Sequence, residues 1–432
     1  MKIESSLEEI HFSNVITTFR NYAQYSLAAN NRRRKDIYCL PSADQQVLEA
    51  IGYKKKLDQV DDAIRANAEF LALIVANPEI FGHEVDADAE GTDEGVKGAN
   101  EGEAGCEPGT SHSLTHSHSH SHSHSHSPHE HGHSHDRHQK YRPTDFDMDK
   151  LRSTLKQFAR DWSEQGREER EACYQPMKDA LVKHFSDVPL EQRGSLRVLV
   201  PGSGLGRLAY DVASMGFACQ GNEFSHYMLL SSFLILNRTD SINKYTLYPY
   251  VHSFSNVSSQ QAMLQPISIP DVLPSNLPPG SDFSLVAGDF EEIYGVDTDP
   301  NEPQAGEWNA ILTCFFIDTV SISMRVFYLG KYDTQPNRDL KAKNIVNYLR
   351  VIHRILAPGG VWVNLGPLLW HWENNNTNDT SVELDLEEVK ALARSIGFEI
   401  SNERTIDTTY TSNSEGMLGY IYHAAFWTAT KI

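Results

Sequence analysis

Three glycines at alternate positions, Gly202, Gly204 and Gly206, stand between an apolar run and a helical pattern in VLVPGSGLGRLAYDVASMGFACQGNEFS. A second apolar run follows and ends at the carboxylate of Glu223, twenty-one positions after the first glycine. Strand, glycine turn, helix, strand and acid form the mononucleotide-binding half of an open α/β sheet. The glycines let the backbone approach a ligand with positive φ, and the acid can accept hydrogen bonds from ribose hydroxyls. A compact turn without a ligand is the structural alternative.

The glycine spacing distinguishes between nucleotides. It is G-x-G-x-G, whereas pyrophosphate binding uses G-x-G-x-x-G, so the first helix need not present its N–H groups to a diphosphate. We interpret the shorter spacing as suited to S-adenosylmethionine, which carries a methionine-like tail in place of a diphosphate. A dehydrogenase that uses a dinucleotide is the competing hypothesis for the same fold.

Two residues at the end of a third predicted strand fit the same cofactor. In LVAGDFEEIY, the carboxylate of Asp289 can accept hydrogen bonds from the adenine amino group, and the ring of Phe290 can stack on the base. Asp289 is also a favourable N-cap for a following helix, and the two roles are compatible.

A predicted helix upstream of the glycine turn offers a cation for the carboxylate of the cofactor. In LKQFARDWS, Gln157 and Arg160 are three positions apart and therefore share one helical face. A guanidinium is a planar fork that matches a carboxylate. A surface arginine that pairs with Asp161 or Glu164 is an equal alternative on spacing alone.

The elements that must position these residues alternate between strands and helices, which predicts a mostly parallel sheet with helices on both faces. The predicted strands are 196–201, 217–223, 283–287, 310–316, 361–365, 398–400 and 422–428. The predicted helices among them are 205–215, 227–236, 343–355 and 386–395, preceded by a helical pair from Met148. Pro358, Gly359 and Gly360 predict a break between a helix and a strand, and residues 253–280, with five prolines, predict an irregular connection.

Three regions follow from the composition along the chain. Residues 1–82 have apolar residues at helical spacing and predict a helical N-terminal extension, and residues 143–432 predict the catalytic domain. Residues 83–142 are acidic and then histidine-rich, which predicts a disordered insertion, because this composition cannot bury enough apolar area. Alternating histidines can bind metal, but we interpret the run as a repeat expansion, since nothing supplies a closed ligand set. No metal is therefore expected at the site.

The bulk composition narrows the class of protein. The chain has 432 residues, 40% of them hydrophobic, and a formal net charge of −20, which argues against nucleic acid or an anionic membrane as partner. Five scattered cysteines without a CxxC pair indicate a reduced compartment, so we expect the cytoplasm, with the nucleus also open. We expect neither a secretory signal nor a membrane span. The helical extension leaves a homodimer open, although no heptad run supports a coiled coil.

Six segments of the chain carry a family resemblance: TLKQFARDWS, VLVPGSGLGRLAYDVASMGFACQGNEFSHYML, LNRTDSINKYTLYPYVHSFSN, LVAGDFEEIY, CFFIDT and APGGVWVNLGPLLWHWEN. Together they resemble the carnosine N-methyltransferase family, a branch of the class I methyltransferases. The resemblance implies an α/β fold of Rossmann-like type with seven strands and a helical N-terminal extension. It also implies methyl transfer from S-adenosylmethionine to an imidazole nitrogen of carnosine, giving anserine and S-adenosylhomocysteine.

The resemblance also assigns residues, where the motifs match. The cofactor would be held by Gln157, Arg160, Gly202, Glu223, Asp289, Phe290 and Cys314. The peptide substrate would be held by Asp318, His371 and Tyr422, with Asp318 as the catalytic residue. The resemblance skips the histidine-rich run. A second insertion, residues 321–343, falls just after Asp318, so another histidine-containing peptide or a protein histidine is the alternative acceptor.

The chemistry of imidazole methylation explains an acid at Asp318. A carboxylate that binds the N–H of the ring selects the tautomer, stabilises the developing cation and can take the proton. Asp318 follows the apolar run 314–317 at the carboxyl end of the fourth sheet strand, where α/β sheets bind ligands. A helix N-cap is the alternative for Asp318. His371 is either a pocket contact or a core histidine, and Tyr422 shares a strand face with Tyr420 for either a pocket or simple packing.

Overall fold

The computed structural model describes residues 2–77, 141–295, 304–319, 344–370, 373 and 382–432, with side chains from Glu8 onward. The chain divides into one compact unit of residues 1–83 and 142–432 and a segment of residues 84–141, and the description below concerns the first. Almost all of the predicted 83–142 insertion, with its histidine-rich run, lies outside the described residues. The 321–343 insertion and His371 also lie outside them.

Seven strands form the main sheet. In chain order, the described strands are β1 (Arg197–Pro201), β2 (Ala218–Glu223), β3 (Tyr245–Leu247), β4 (Ile267–Ile269), β5 (Phe283–Ala287), β6 (Trp308–Cys314), β7 (Leu356–Gly366), β8 (Phe398–Thr408) and β9 (Tyr422–Lys431). The sheet order is β5-β2-β1-β6-β7-β9-β8, or 3-2-1-4-5-7-6 when only its own strands are counted. Among the described strands of this sheet, β9 alone runs antiparallel to its neighbours. The predicted α/β fold with a seven-stranded sheet is confirmed.

Helices cover the sheet and build the N-terminal extension. The described α-helices are α1 (Lys2–Tyr38), α2 (Ser42–Ala50), α3 (Tyr53–Ile74), α4 (Asp145–Trp162), α5 (Arg167–His184), α6 (Arg207–Ser214), α7 (His226–Asn237), α8 (Gln260–Met263), α9 (Phe290–Tyr294), α10 (Ile345–Ile355) and α11 (Leu386–Ile396). Capping boxes start α4 at Thr144 and α11 at Asp385, because each side chain accepts an otherwise unbonded N–H of the first turn. None of the helices in the described ranges has the length and hydropathy to cross a membrane.

The central strands are buried on both faces, as a parallel sheet requires. In β1, Leu199 packs in a cluster with residues of α10 and α11, whereas Val198 and Val200 pack in a second cluster with residues of α5 and α6. Successive side chains of a strand point to opposite faces, so β1 contributes to both clusters. Helices therefore cover both faces, and the carboxyl ends of the strands are left for the site.

The N-terminal extension is helical, as predicted, and packs on the β3–β4 hairpin through a buried asparagine. Asn67 of α3 is fully buried, and its Nδ2 donates to the Tyr248 carbonyl at 3.0 Å and to the Tyr22 hydroxyl at 3.1 Å. Its Oδ1 accepts the Tyr248 N–H at 2.8 Å. One side chain therefore satisfies both backbone groups of Tyr248 and joins α1 to the hairpin.

Replacing Asn67 by alanine is expected to lower the free energy of unfolding by about 1–3 kcal/mol, because buried polar groups of Tyr248 lose their partners. Urea denaturation measures the change. Asn237→Ala is the matched control, since its Nδ2 bonds only the Phe233 carbonyl one helical turn earlier and the site is exposed. Equal denaturation midpoints for the two variants would contradict this account of the extension.

Four local predictions were wrong. The 253–280 connection contains α8 and strand β4, which pairs antiparallel with β3. Residues 358–360 do not separate a helix from a strand, because α10 ends at Ile355 and β7 already starts at Leu356. Residues 358–360 instead lie within β7, where the pairing of β7 with β6 is irregular. Strand β6, the fourth strand of the main sheet, ends at Cys314, two residues before the predicted end at residue 316. Tyr420 precedes β9 and is exposed, so it shares no strand face with Tyr422.

Candidate active site

The glycine turn follows β1 at the carboxyl ends of the strands, and the strand order of the sheet reverses between β1 and β6. Gly202, Gly204 and Gly206 have φ values of +65°, +55° and +81°, so all three occupy the left-handed region that favours glycine. The Ser203 N–H donates to the Asn222 carbonyl at 2.9 Å, which joins the turn to β2. The predicted conformation of the turn is confirmed.

Glu223, at the end of β2, holds the same turn through its carboxylate. Oε2 accepts the Gly204 N–H at 2.8 Å, and Oε1 accepts the N–H groups of Phe224 and Ser225 at 2.8 Å each. Burial raises the pKa of this carboxyl, and the three backbone donors partly offset the effect. A carboxylate has about four acceptor sites. Glu223 therefore keeps room for one further hydrogen bond rather than a separate site for each ribose hydroxyl.

Gly202 faces the aromatic ring of Phe316. A Cβ at this position would lie 2.6 Å from a ring carbon of Phe316, which is itself buried. Replacing Gly202 by alanine is therefore expected to combine backbone strain of about 1–2 kcal/mol with overpacking of about 1–3 kcal/mol. Thermal denaturation measures the combined loss of stability, and binding of S-adenosylhomocysteine measures the effect on the glycine turn.

Gly359→Ala is the matched control for Gly202→Ala. Gly359 has a similar φ of +74°, but a Cβ there would meet nothing within 4 Å. We expect this control to show the strain alone, with S-adenosylhomocysteine binding as in the parent protein. If both variants lose the same stability, the contact with Phe316 has no energetic role.

Arg160, near the end of α4, is buried rather than at the surface. Its Nη1 donates to Asp161 Oδ1 and to the Tyr174 hydroxyl, each at 2.7 Å, and its Nε lies 3.0 Å from Glu169 Oε1. Burial alone would lower its pKa, but Tyr174 and Asp161 raise it well above the ordinary value. Nη2 is buried and has no hydrogen-bond partner among the described residues. An incoming carboxylate can take this nitrogen.

Glu169 of α5 ties Arg160 to a segment that follows β8. Its carboxylate accepts the Thr409 hydroxyl at 2.7 Å and the N–H groups of Thr411 and Ser412 at 2.7 and 3.1 Å. We call these contacts, with Arg160, the Glu169 bridge. No local pattern of residues indicates this bridge, because Glu169 is one of several acids in a charged helical run.

The Glu169 bridge places the side chain of Tyr410 against Arg160 and Gln157. The Arg160 guanidinium lies 4.8 Å from the Tyr410 ring centroid, and the hydroxyl is hydrogen-bonded to Gln157. Burial raises the pKa of Tyr410. Gln157 also approaches the glycine turn, since its Oε1 lies 3.8 Å from where a Gly204 Cβ would be. Gln157 therefore lies next to the glycine turn and is joined to Arg160 through Tyr410, an additional residue, while the role of Gln157 and Arg160 in binding the cofactor stays a prediction.

Cys314 ends β6 next to this group. Burial, with a smaller contribution from Cys173, raises the pKa of the Cys314 thiol, and the nearby Arg160 guanidinium opposes the shift. A raised pKa favours the neutral thiol, which is a weaker nucleophile than the thiolate. Within the described ranges, no group of three or more His, Cys, Asp or Glu side chains is arranged to hold a metal ion.

Asp289 and Phe290 form the opposite side of the site. Asp289 caps α9, because its Oδ1 accepts the N–H groups of Glu291 and Glu292 at 3.0 and 3.2 Å. Phe290 is buried and packs edge-to-face on Phe316, with ring centroids 5.4 Å apart. Since Phe316 also faces Gly202, the structure joins Phe290 to the glycine turn. The capping alternative for Asp289 is present, and it leaves the adenine role as a prediction.

Phe315 turns the chain sharply after β6. Its φ of +52° is unusual for an aromatic residue, and its N–H donates to the Leu365 carbonyl of β7 at 2.8 Å. Its ring packs on Tyr410 at 4.9 Å and edge-to-face on Tyr422 at 5.7 Å between centroids. Strained residues of this kind cluster at functional sites. Tyr410, Phe315 and Tyr422 thus form a continuous aromatic wall from Arg160 to β9.

Asp318 follows this turn and is only 3% exposed. Its Oδ2 accepts the Leu369 N–H at 2.7 Å, which fixes the carboxylate against the segment after β7. Asp318 follows the carboxyl end of β6, and Tyr422 starts the antiparallel strand β9 beside the carboxyl end of β7. The two residues therefore lie at the same end of the sheet. His371 lies outside the described residues, so its place in the site stays a prediction.

The strand order with one antiparallel strand, together with a glycine turn after the first strand and an acid at the end of the second, defines a class I methyltransferase. A family profile described as carnosine N-methyltransferase matches residues 137–327 and 340–432. The carnosine N-methyltransferase of Mus musculus is 38% identical over 99% of this chain and 88% of its own length. That of Schizosaccharomyces pombe is 42% identical over 65% of this chain and 70% of its own. The chain belongs to the carnosine N-methyltransferase family.

Solved structures are similar at low identity. Phosphoethanolamine N-methyltransferase 2 of Haemonchus contortus, in complex with S-adenosyl-L-methionine, is 14% identical with a TM-score of 0.32, over 59% of this chain and 52% of that one. The YcgJ protein of Bacillus subtilis is 11% identical with a TM-score of 0.33, over 60% of this chain and 98% of that one. The fold class follows from the strand order of the sheet.

Proposed function

We propose that this protein transfers a methyl group from S-adenosylmethionine to an imidazole nitrogen of carnosine, giving anserine and S-adenosylhomocysteine. The observation that supports this most is the buried Asp318, fixed by the Leu369 N–H at the sheet edge that also carries the glycine turn. The family supports carnosine as the acceptor, since the relatives named above carry that substrate in their names.

The residues present fit the cofactor. When bound, S-adenosylmethionine supplies an electrophilic methyl group on a sulfonium. Arg160 Nη2 would donate to its carboxylate, because Asp161 and Tyr174 occupy Nη1 and the carboxylate of Glu169 lies 3.0 Å from Nε. Glu223 would accept a ribose hydroxyl at its remaining acceptor site. The left-handed glycines would let the turn lie against the ligand without a Cβ in the way.

Asp318 would act as the general base for the imidazole of the acceptor. A neutral imidazole attacks through the ring nitrogen that carries no hydrogen, and positive charge develops on the ring as the methyl arrives. The Asp318 carboxylate would accept the N–H of the other ring nitrogen, hold the reactive tautomer and then take the proton. Because Asp318 is almost fully buried, water screens the charge of its carboxylate little. The carboxylate would therefore interact more strongly with the imidazolium than an exposed carboxylate would.

The aromatic wall would contribute alignment and exclude water. In-line methyl transfer gains mainly from holding nucleophile and methyl group close and collinear. Phe315 and Tyr422 are in direct contact, and Tyr422 is half-buried, so its hydroxyl can reach the peptide while its ring stays packed. His371 would add a further contact to the peptide.

A co-substrate panel tests the proposed function. We expect purified protein with S-adenosylmethionine to methylate carnosine, with a ring-methylated product identified by mass spectrometry, and to act less well on free histidine and histamine, which lack the dipeptide. Other histidine-containing di- and tripeptides complete the panel. Methylation confined to protein histidines, with carnosine unchanged, would contradict the proposal and favour a protein histidine methyltransferase.

A further inference from the structure

A cavity of about 330 Å³ lies between the N-terminal extension and the loop after β3, and it shares no lining residue with the candidate active site. Helix α1 contributes Tyr25, Arg32 and Arg33, helix α4 contributes Arg152, and the loop contributes His252 and Phe254. Three guanidinium groups in one cavity are unexpected in a chain whose formal net charge is −20.

The arginines of this cavity are incompletely paired. Among the described residues, neither the exposed Arg32 nor the half-buried Arg33 forms an ion pair, and the Arg33 guanidinium lies over the ring of Phe254, 3.7 Å from its centroid. Lys56 Nζ lies over the same ring at 5.1 Å. Arg152 pairs with Asp149 at 2.8 Å through Nη1, but its Nε is buried and has no hydrogen-bond partner in the described part of the chain.

The groups around the cavity experience a positive field. His252 is hydrogen-bonded through Nε2 to Tyr22 at 2.7 Å, and burial lowers its pKa to about 3, with further lowering by Arg152, Arg33 and Lys156. Burial also lowers the pKa of Arg33, and the neighbouring Arg32 and Arg152 contribute to that shift against the effect of Tyr53. His252 is therefore neutral, and an anion would relieve the repulsion among the arginines.

A second cavity in the same unit shows the ordinary arrangement. It has about 510 Å³ and is lined by Arg167, Arg170, Lys178 and Arg207 among others. Each of these cations pairs with a carboxylate within 3.3 Å, supplied by Glu164, Asp271 or Asp211. Of these two cavities, only the first is lined by arginines, Arg32 and Arg33, that have no ion pair with a described carboxylate.

We propose that the cavity of Arg32, Arg33 and Arg152 binds the phosphate group of a small phosphorylated molecule. Guanidinium forks match phosphate oxygens in geometry and charge. The volume lies at the lower end of the range for small-molecule pockets. The carboxylates of Asp145 and Asp149 also line the cavity, and they disfavour an extended polyanion such as nucleic acid.

Calorimetry on the full-length protein tests this site. The probes are inorganic phosphate and glucose 6-phosphate, with glucose and sodium chloride at matched ionic strength as controls. We expect saturable binding of both phosphates, weakened about tenfold or more by the double variant Arg32→Gln and Arg33→Gln, because hydrogen bonds to charged groups are lost. Arg65→Gln is the matched control, since Arg65 is exposed on α3 and pairs with Asp62 at 2.9 Å.

The outcomes separate this site from the active site. S-adenosylhomocysteine binding and carnosine methylation should stay at the parental level in both variants, which also verifies that they fold. Absence of saturable phosphate binding to the parent protein, or equal binding by the double variant, would overturn the proposal. Tighter, length-dependent binding of single-stranded RNA through the same arginines would overturn it in favour of a polyanion surface. If the parent protein does not methylate carnosine, the proposed function is contradicted, but the proposed phosphate site is not.

Discussion

Replacing Asp318 by asparagine is expected to slow methyl transfer to carnosine by roughly 10²–10⁴-fold, the usual contribution of a general base. Asparagine keeps the size of the side chain and an oxygen that can accept the Leu369 N–H, so the segment after β7 should keep its place. It cannot take the imidazole proton or stabilise the cation by charge. Initial rates with saturating S-adenosylmethionine measure the effect, and S-adenosylhomocysteine binding should be unchanged.

Asp282→Asn is the matched control for Asp318→Asn. Asp282 is exposed just before β5 and lies outside the candidate site, so its replacement should leave the rate within experimental error. An Asp318→Asn protein that binds S-adenosylhomocysteine normally and methylates carnosine at the parental rate would remove the assigned mechanism. A fall in S-adenosylhomocysteine affinity equal to the fall in rate would instead indicate damage to the cofactor side.

Replacing Arg160 by methionine is expected to lower the free energy of unfolding by about 3–5 kcal/mol, because two carboxylates stay in a low-dielectric site without their cation. Asp161 is 2% exposed, and the side chain of Glu169 is 11% exposed. The variant also loses Nη2, so S-adenosylhomocysteine binding should weaken. Urea denaturation gives the stability, and calorimetry gives the affinity.

Two further variants separate charge from geometry at Arg160. Arg160→Lys restores a positive charge but not the planar fork, so we expect part of the stability to return without the affinity. Arg167→Gln removes an arginine whose pair with Glu164 is more than half exposed, and it should change stability by no more than about 0.5 kcal/mol. If Arg160→Met denatures at the urea concentration of the parent protein, the buried network is not a stabilising element.

The parts of the site that the sequence predicted are those set by local chemistry. The glycine turn and Glu223 lie in one continuous stretch, where the order of strand, glycines, helix and acid already implies their proximity. Gln157 and Arg160 could be placed on one helical face by spacing, but their burial could not, since it depends on α5 and on the segment after β8. Tyr410 reaches Arg160 only through the Glu169 bridge, whose partners are about 240 residues apart.

The errors have a similar origin. Strands β3 and β4 are three residues each, too short to show an alternating pattern, and prolines around β4 favoured a loop. The apolar run of β6 continues through Phe315 and Phe316, so nothing local marked its end at Cys314. Its end is set by the left-handed turn at Phe315, which depends on packing against Tyr410 and Tyr422 and on the Leu365 carbonyl.

The Glu169 bridge has a consequence for how the two reactants enter. One carboxylate holds both the arginine that would bind the donor and the loop whose tyrosine begins the wall on the acceptor side. Binding of either reactant should therefore order the loop for the other reactant as well. By thermodynamic linkage, the methyl donor and the acceptor should each raise the affinity of the protein for the other by the same factor. Donor and acceptor affinity would then change together, rather than as separately adjustable properties.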